Sequence, residues 1–414
     1  MIKALPRQPE VNIGTLGHVD NGKSTLIQAI TGIWTAKHSE ELKRGITIRI
    51  GYADAAIYEC EACDEPFNFK AQEVCTVHNR PTVFRRAISF IDCPGHHSLM
   101  ITMLSGASLF DGAIFVIDGR REFPQSQDRE HLEAANIMGI SSLIFVQNKI
   151  DLISRESAIQ NYEDIKRYLS RGPFKDSAII PVSAQQRVGI EPLLYGIQRY
   201  ITTPSRDVSR PFLMPILRSF DVNLPGTLAS KISGGVIGGS IIRGQVSVGD
   251  PIEIRPGLPE KENVPRSKYE SVYTTVKSIK SGNLEVKRAV SGGLIGIETE
   301  LDPSLTRSDA LSGNMAGKPD ALPPTHYNLQ LEYQLFKKVV GVEGDIEVKQ
   351  VAEKEQLVVN AYSSVTVGVV TKRTSDELTL DLTKPICAPA GHKVTISRRI
   401  GTSWRLIGFG IIKG

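Results

Sequence analysis

The 414-residue sequence predicts an α/β domain, with a mostly parallel sheet and helices on both faces, followed by two β-barrel domains. Three observations lead to this prediction. Apolar strand-like runs alternate with helical patterns from Val11 to about Ile201, which is typical of a parallel sheet covered by helices. A polar stretch, 202–211, then ends the helical periodicity. The rest of the chain has short β-rich runs separated by glycine turns, as in small barrels.

The domain boundaries are predicted where the sequence changes character. The α/β domain is expected over residues 1–204, with a cysteine-rich insertion at about 57–82. The barrels are expected over 211–320 and 325–414, on either side of a second break that is rich in proline.

Within the first domain, strands and helices are predicted in alternating order. The strands are expected at 11–16, 87–92, 112–117, 142–147 and 178–182, and the helices at 25–30, 98–106, 127–139, 158–169 and 190–201. In the barrels, β-rich runs occur at 234–242, 245–248, 251–254, 293–297, 356–359, 365–371, 377–382 and 392–397.

Composition limits the class of protein. Hydrophobic residues make up 41% of the chain and charged residues 23%, as in ordinary globular proteins. No apolar run approaches the roughly 20 residues that a membrane span needs, and the segment 1–9 is too short and polar for a signal peptide. We therefore expect a soluble, cytoplasmic protein with no membrane partner. The net charge of +4 permits a nucleic-acid partner without requiring one.

Residues 17–24, Gly-His-Val-Asp-Asn-Gly-Lys-Ser, match the phosphate-binding motif G-x-x-x-x-G-K-[ST]. The motif lies between a predicted strand and a predicted helix, as its function requires. Its glycines allow backbone N–H groups to surround a phosphate, and the helix N-terminus adds donors and a favourable dipole. Lys23 is expected to reach the β- and γ-phosphates and Ser24 to hold Mg²⁺. Further residues expected at the nucleotide are Asp20, Asn21, Gly22 and Thr25.

A second motif, Asp92-Cys93-Pro94-Gly95, follows the predicted strand at 87–92. Ligands bind open α/β sheets at the carboxyl ends of the strands, so this motif is expected beside the phosphate loop. Asp92 is predicted to hold the Mg²⁺ ion, and the Gly95 amide to contact the γ-phosphate.

Two motifs at later strand ends indicate the base. In Asn148-Lys149-Ile150-Asp151, the Asp151 carboxylate can accept hydrogen bonds from guanine N1 and N2, a donor pair that adenine lacks. Asn148 is expected to meet the base edge, and the stem of Lys149 to cover the ring. A backbone N–H of the segment Ser183, Ala184 and Gln185 is expected to contact guanine O6. The four motifs together predict a protein that binds GTP or GDP with Mg²⁺.

These motifs resemble those of the translational GTPases related to elongation factor Tu. More narrowly, the chain is similar to the gamma subunits of archaeal and eukaryotic translation initiation factor 2. The stretches that carry this resemblance span nearly the whole chain and lie at 37–47, 102–107, 218–223, 234–242, 301–306 and 404–408. The lack of long terminal extensions favours an archaeal family member. The resemblance implies a P-loop GTPase domain followed by two barrels.

The resemblance also implies roles for residues that their spacing alone does not assign. Thr47 matches the switch 1 threonine that contacts Mg²⁺ and the γ-phosphate, and His96 matches the catalytic histidine that orients the attacking water. Val19 and Ile46 match the apolar pair, or hydrophobic gate, that holds this histidine away until hydrolysis is triggered. His97 stands where the family commonly has glutamate, and it is expected to affect how His96 is held.

By resemblance, the chain is expected to be a GTPase that hydrolyses GTP to GDP and phosphate. Its expected partners are methionylated initiator tRNA, the alpha and beta subunits of the same factor, and the small ribosomal subunit. Three alternatives remain open. They are a selenocysteine-specific elongation factor, which normally carries a further C-terminal domain, a regulatory GTPase subunit of a metabolic enzyme, and a nucleotide-gated scaffold whose hydrolysis is vestigial.

Three of the five cysteines cluster in the predicted insertion. Cys60-x-x-Cys63 and Cys75-x-x-His78 pair two chelating turns, and zinc takes thiolate and imidazole ligands in tetrahedral geometry. The pattern therefore predicts a zinc site, with incidental cysteines in a surface loop as the alternative. The family that the chain resembles carries a zinc knuckle here, usually with four cysteines, so His78 is a departure from the family pattern.

Overall fold

The computed structural model describes residues 5–35, 50–95, 100–261, 267–340 and 346–414. The chain forms two compact units. One consists mainly of Leu5–Pro204, and the other mainly of Ser205–Val339 and Ile346–Gly414. Among the described residues, no helix is long and apolar enough to cross a membrane.

The first unit is built on a seven-stranded sheet. Its strands are β1 (Val11–Leu16), β2 (Gly51–Glu59), β3 (Phe69–Lys70), β6 (Val83–Asp92), β7 (Gly112–Asp118), β8 (Leu143–Asn148) and β9 (Ile179–Val182), while β4 (Val74–Cys75) and β5 (Arg80–Pro81) form a separate hairpin. The strand order in the sheet is β3-β2-β6-β1-β7-β8-β9. All neighbours from β6 to β9 are parallel, and β2 is antiparallel to both β6 and β3. The mostly parallel sheet confirms the predicted fold class.

Five helices of the first unit are described. They are α1 (Lys23–Thr31), α2 (Met100–Ala107), α3 (Ser126–Ile137), α4 (Arg155–Leu169) and α5 (Ile190–Tyr200), and a short 3-10 helix, Ile150–Leu152, follows β8. Each helix overlaps the segment in which the sequence predicts it.

The central strands β1, β7 and β8 are buried along their whole length, as expected for a parallel sheet covered on both faces. Successive side chains alternate between the faces. Ile114 and Ile144 belong to a core cluster that includes Leu26 of α1 and Leu193 of α5. Their neighbours Phe115 and Phe145 pack ring against ring, with centroids 5.4 Å apart. This close packing therefore fixes the positions of the residues at the carboxyl ends of these strands.

The second unit contains two closed barrels, as predicted. The strands of the first barrel segment are β10 (Leu213–Phe220), β11 (Val236–Gly239), β12 (Gln245–Ser247), β13 (Pro251–Pro259), β14 (Tyr269–Ser281), β15 (Leu284–Val286), β16 (Arg288–Val290), β17 (Ile295–Thr299) and β18 (Met315–Gly317). Six of them run in the order β13-β18-β10-β11-β17-β14 and close through the pairing of β13 with β14. Two 3-10 helices, Ala229–Lys231 and Pro303–Asp309, lie in the connections.

The second barrel is formed by β19 (Thr325–Leu335), β20 (Gln356–Ala361), β21 (Ser364–Arg373), β22 (Glu377–Cys387), β23 (Lys393–Ile400) and β24 (Ser403–Ile412). The strand order is β19-β22-β21-β20-β23-β24, and β24 pairs back to β19. Each barrel has its own apolar core. A small buried cluster of Leu213, Met315, Leu322 and Cys387 joins the two barrels within this unit.

Candidate nucleotide-binding site

The phosphate-binding motif forms the loop between β1 and α1. Gly17 has φ 121° and Gly22 has φ 92°, a left-handed region that favours glycine. A Cβ atom at Gly17 would lie 2.3 Å from the Val116 carbonyl oxygen, and one at Gly22 would lie 2.4 Å from Asn148 Nδ2. The loop therefore requires glycine for two reasons, its backbone angles and the close approach of β7 and β8.

Lys23, the first residue of α1, is buried within this loop. Its Nζ donates hydrogen bonds of 2.8 Å to the carbonyl oxygens of Gly17 and His18. Burial lowers the pKa of Lys23 to about 8, although the negative charge of Asp92 acts in the opposite direction. The side chain thus carries its positive charge at neutral pH, at the position from which P-loop lysines contact phosphates.

Asp92, the last residue of β6, is fully buried at the carboxyl end of the sheet. Three hydroxyl groups donate to its carboxylate: Thr15 at 2.9 Å, Ser24 at 2.6 Å and Thr35 at 2.5 Å. The structure thus brings together Ser24 and Asp92, the two predicted Mg²⁺ residues that it describes. A carboxylate beside a serine hydroxyl is a donor set that suits Mg²⁺. The third predicted residue, Thr47, lies outside the described residues.

Gly95 lies directly against the phosphate loop. A Cβ atom there would come within 2.3 Å of Lys23 Nζ and 2.9 Å of the Val19 backbone nitrogen, so the main chain approaches more closely than any other residue would allow. Val19, one half of the predicted hydrophobic gate, is half-buried at this point. Ile46, the other half, and the predicted catalytic His96 lie outside the described residues.

Asn148 links the predicted base-binding segments to the phosphate loop. Its Nδ2 donates to the Asn21 carbonyl at 2.8 Å, and its Oδ1 accepts the Ala184 N–H at 3.0 Å. The buried Ser183 hydroxyl accepts the Gln186 N–H at 3.2 Å. One side chain therefore ties three of the predicted motifs together at the ends of β8 and β9.

The remaining predicted residues differ in exposure. Asp151, in the 3-10 helix, is exposed, as are Asp20 and Gln185, while Thr25 is half-buried. The Asn21 side chain is buried and donates from Nδ2 to the Val116 carbonyl at 2.8 Å. The nitrogen of this amide is thus bonded to β7.

Three buried residues of this region were missed by the sequence analysis. His131 of α3 accepts the Gly17 N–H through Nδ1 at 3.0 Å, and burial lowers its pKa to about 3, so the imidazole is neutral. Thr35 bonds to Asp92, as described above. Asp118, at the end of β7, accepts a hydrogen bond of 2.9 Å from Lys149 Nζ. Only Asp118 had a signal in the sequence, because it ends an apolar strand as Asp92 does.

The cysteine-rich insertion brings its four predicted ligands together. Their ligand atoms all lie within 4.8 Å of one another and belong to Cys60, Cys63, Cys75 and His78. His78 Nδ1 is 3.3 Å from the Cys63 sulfur and 3.7 Å from the sulfurs of Cys60 and Cys75. Tetrahedral zinc, with bonds of roughly 2.0–2.3 Å, requires ligand atoms at about this separation. Both the donor set and the spacing therefore fit a zinc ion.

Comparison with known proteins agrees with this geometry. The family model described as elongation factor Tu GTP binding domain matches residues 8–203, and the one described as initiation factor eIF2 gamma, C terminal, matches residues 327–412. The chain is 49% identical over 411 residues to translation initiation factor 2 subunit gamma of Pyrococcus furiosus, and the matched region covers 99% of each chain. It is 46% identical over 405 residues to the same subunit of Archaeoglobus fulgidus, covering 98% of this chain and 95% of that relative.

Solved structures of selenocysteine-specific elongation factors share the fold. A bacterial selenocysteine-specific elongation factor, EF-Sec, is similar with a TM-score of 0.72 and 23% identity over 97% of this chain and 58% of its own. Elongation factor SelB from Methanococcus maripaludis, in complex with the GTP analogue GppNHp, gives a TM-score of 0.70 and 21% identity over 99% of this chain and 80% of its own. At these identities the likeness concerns the fold alone.

The fold and the site define a translational GTPase, with a GTP-binding domain of the elongation factor Tu type that binds GTP or GDP and Mg²⁺. The near full-length similarity is more specific. The chain belongs to the family of translation initiation factor 2 gamma subunits, and its role is that of an initiation factor. The resemblance noted from the motifs is thereby confirmed, and the selenocysteine-specific factors share its fold.

Proposed function

We propose that the protein is a GTP-switched carrier that binds methionylated initiator tRNA and delivers it to the small ribosomal subunit in the cytoplasm. It would act in a complex with the alpha and beta subunits of the same factor. The observation that carries this proposal is the 49% identity to a gamma subunit over 99% of both chains. Because this similarity extends over both barrels as well as the nucleotide site, we expect the whole chain to perform the same task.

We assign the nucleotide contacts as follows. The phosphates bind to the loop of Asp20, Asn21, Gly22, Lys23, Ser24 and Thr25, together with the Gly95 amide, and the base binds to Asn148, Lys149, Asp151, Ser183, Ala184 and Gln185. The buried Asn148 side chain supports this assignment, because its bonds to the Asn21 carbonyl and the Ala184 N–H join the two groups.

In the proposed reaction, water attacks the γ-phosphorus in line, and the bond to the β-phosphate oxygen breaks to leave GDP and phosphate. Lys23 balances the developing charge, and His96 orients the water. When bound, Mg²⁺ supplies further charge neutralisation at the β- and γ-phosphates, and Ser24, Asp92 and Thr47 are the residues that would hold it. Order in the two switch segments depends on the γ-phosphate in such proteins, so hydrolysis becomes the signal to release the tRNA.

We also propose that Cys60, Cys63, Cys75 and His78 hold zinc in a structural site. The three thiolates and one imidazole form a closed set of four ligands, which is typical of structural rather than catalytic zinc. The separations between the ligand atoms, all within 4.8 Å, support this assignment. Zinc would fix the insertion, and no step of hydrolysis depends on it.

The decisive experiment is filter binding of methionylated initiator tRNA against methionylated elongator tRNA. It is run with a non-hydrolysable GTP analogue and with GDP, and the matching alpha subunit is added so that weak binding is not misread. We expect strong binding of the initiator tRNA only with the analogue. Equal binding of the two tRNAs, or no binding in either nucleotide state, would contradict the proposed carrier function.

A further inference from the structure

Asp118 is a buried carboxylate surrounded by cations. It ends β7, where its Cα pairs in register with that of Asn148 on β8, and its side chain is 0% exposed. Arg120 binds it in a bidentate manner, with Nε at 3.0 Å from Oδ1 and Nη2 at 2.8 Å from Oδ2. Lys149 Nζ lies 2.9 Å from Oδ2, and Arg121 Nε lies 3.9 Å from the same atom.

The ammonium group of Lys149 is shared between two loops. Besides Asp118, it donates to the carbonyl oxygen of Asp20 in the phosphate loop. The backbone of Lys149 has φ 65°, a left-handed conformation that turns the chain sharply after β8. A lysine stem is flexible, so the bonds at its end determine where the stem lies.

From these contacts we propose that Asp118 is a positioning residue for nucleotide binding, which acts by holding the Lys149 stem in the place where it covers the base. The inference rests on the guanine-nucleotide site proposed above and deepens it. Replacing the carboxylate by an amide would leave Arg120 and Lys149 facing each other without a counter-charge. Their repulsion would release Lys149 from its position and from the Asp20 carbonyl.

The charge of Asp118 is maintained despite its burial. Burial raises the pKa of this carboxyl group, but hydrogen bonds from Arg120 and Lys149 outweigh burial and hold the pKa well below its usual range. Charge-assisted hydrogen bonds of this kind are stronger than neutral ones. Asp118 therefore remains an anion throughout the neutral pH range, as the positioning of an ammonium group requires.

The test is a double-mutant cycle in the full-length chain, with GDP affinity measured by titration of a fluorescent GDP derivative. Asp118→Asn is expected to weaken GDP binding by roughly tenfold, which corresponds to one charge-assisted hydrogen bond. In the Lys149→Ala background the same substitution is expected to change affinity by less than about twofold, because the group through which it acts is gone. Asp164→Asn, which removes an exposed carboxylate bonded to Arg167 at 3.0 Å, is the matched control.

The possible outcomes separate this inference from the function on which it rests. An equal loss in both backgrounds, or no loss in either, would overturn the positioning role and leave the nucleotide site standing. Failure of the unsubstituted protein to bind GDP would instead remove the proposed site itself. If Asp118→Asn does not fold, Lys149→Met decides instead, because it keeps the stem and removes the ammonium group that Asp118 holds, while Asp118 keeps its bonds to Arg120. A roughly tenfold loss of GDP affinity is then expected, and an affinity within about twofold of the unsubstituted protein would overturn the positioning role.

Discussion

His131 is buried against the phosphate loop, where its Nδ1 accepts the Gly17 N–H. Its pKa is lowered to about 3 by burial and by the nearby positive charge of Lys23, against roughly 6.5 in an unfolded chain. Between these two values the unfolded state binds the extra proton, so the free energy of unfolding falls as the pH falls below about 6.5. Protonation would also remove the acceptor for Gly17.

We therefore expect His131→Gln to reduce the pH dependence of stability. At pH 5 the wild-type protein should lose about 2 kcal/mol relative to pH 7 through this one group, and the variant should lack that part of the loss. Urea denaturation at pH 5 and pH 7 measures the difference. Parallel pH profiles for the two proteins would show that His131 does not titrate as described, and pH 8, where the imidazole is neutral in both states, serves as the reference condition.

Ser24 gives a second prediction at the scale of one residue. Its hydroxyl lies 2.6 Å from Asp92 Oδ2, in the donor set assigned to Mg²⁺. Ser24→Ala is expected to weaken GDP binding at least about tenfold when Mg²⁺ is present, and much less in EDTA, because the lost oxygen serves the metal. Thr31→Ala is the matched control, since its hydroxyl lies at the other end of α1 and bonds to the Ile27 carbonyl and to the backbone of Ile33. Equal losses with and without Mg²⁺ would contradict the assignment.

The sequence predicts those site residues that belong to a contiguous motif, and it misses those that contact the motifs only in the folded chain. Ser24 and Asp92 could be predicted because each lies in a recognisable phosphate or switch motif. Thr35 and His131 could not be, because nothing near them in sequence indicates a bond to Asp92 or Gly17. Such contacts depend on the packing of α3 and of the chain after α1 against the sheet.

At the scale of elements, we expect the insertion between β2 and β6 to owe its stability to a bound metal ion more than to an apolar core. Its strands β3, β4 and β5 have two residues each, and strands this short do not sustain a fold by themselves. Backbone turns bring the ligands close, as in the 2.8 Å bond from the Cys60 N–H to the Asn68 carbonyl. In small sites of this kind, metal binding contributes directly to folding.

Removal of zinc is therefore expected to unfold the insertion locally, including β3, and to leave the central strands of the sheet intact. Zinc content should be one ion per chain, and Cys63→Ser should lower it while Cys387→Ser, which replaces a buried cysteine of the second barrel, should not. Hydrogen exchange after chelation should rise in 60–81 and remain low in β1, β7 and β8. A zinc-free preparation with unchanged exchange in 60–81 would contradict the structural role.

Strand β2 shows where sequence patterns are insufficient. Its sequence, Gly-Tyr-Ala-Asp-Ala-Ala-Ile-Tyr-Glu, is rich in alanine and lacks a clear apolar run, so no strand was predicted there. It forms because its antiparallel register with β6 extends from Gly51 to Glu59 and buries Ala53, Ala55 and Ile57. Tertiary pairing thus overrides a weak local preference. By contrast, the apolar run of β1 was sufficient, and its bounds were predicted correctly.

At the scale of the whole molecule, the buried Glu253 of β13 allows the stability of the barrel unit to be tested separately from nucleotide binding by the GTP-binding unit. Its carboxylate is 0% exposed and accepts hydrogen bonds from Arg255, from the Tyr273 hydroxyl at 3.2 Å and from the Asp320 N–H at 3.1 Å. Asp320 lies in the segment between the two barrels. Burial raises the pKa of Glu253, but its bonds to Arg255 and Asp320 outweigh this and lower the pKa overall. The anion therefore contributes stability that is lost as the pH falls through this depressed pKa.

We expect Glu253→Gln to destabilise the barrel unit by about 1–3 kcal/mol, because a charge-assisted acceptor is lost inside a buried network. GDP affinity should remain within about twofold of the unsubstituted protein, since no residue of this network belongs to the proposed nucleotide site. Hydrogen exchange should rise in β13, β14 and β18 and stay unchanged in β1 and α1. A loss of GDP affinity in this variant would show that destabilising the barrel unit also weakens the nucleotide site. The nucleotide switch would then have to be considered a property of the whole chain.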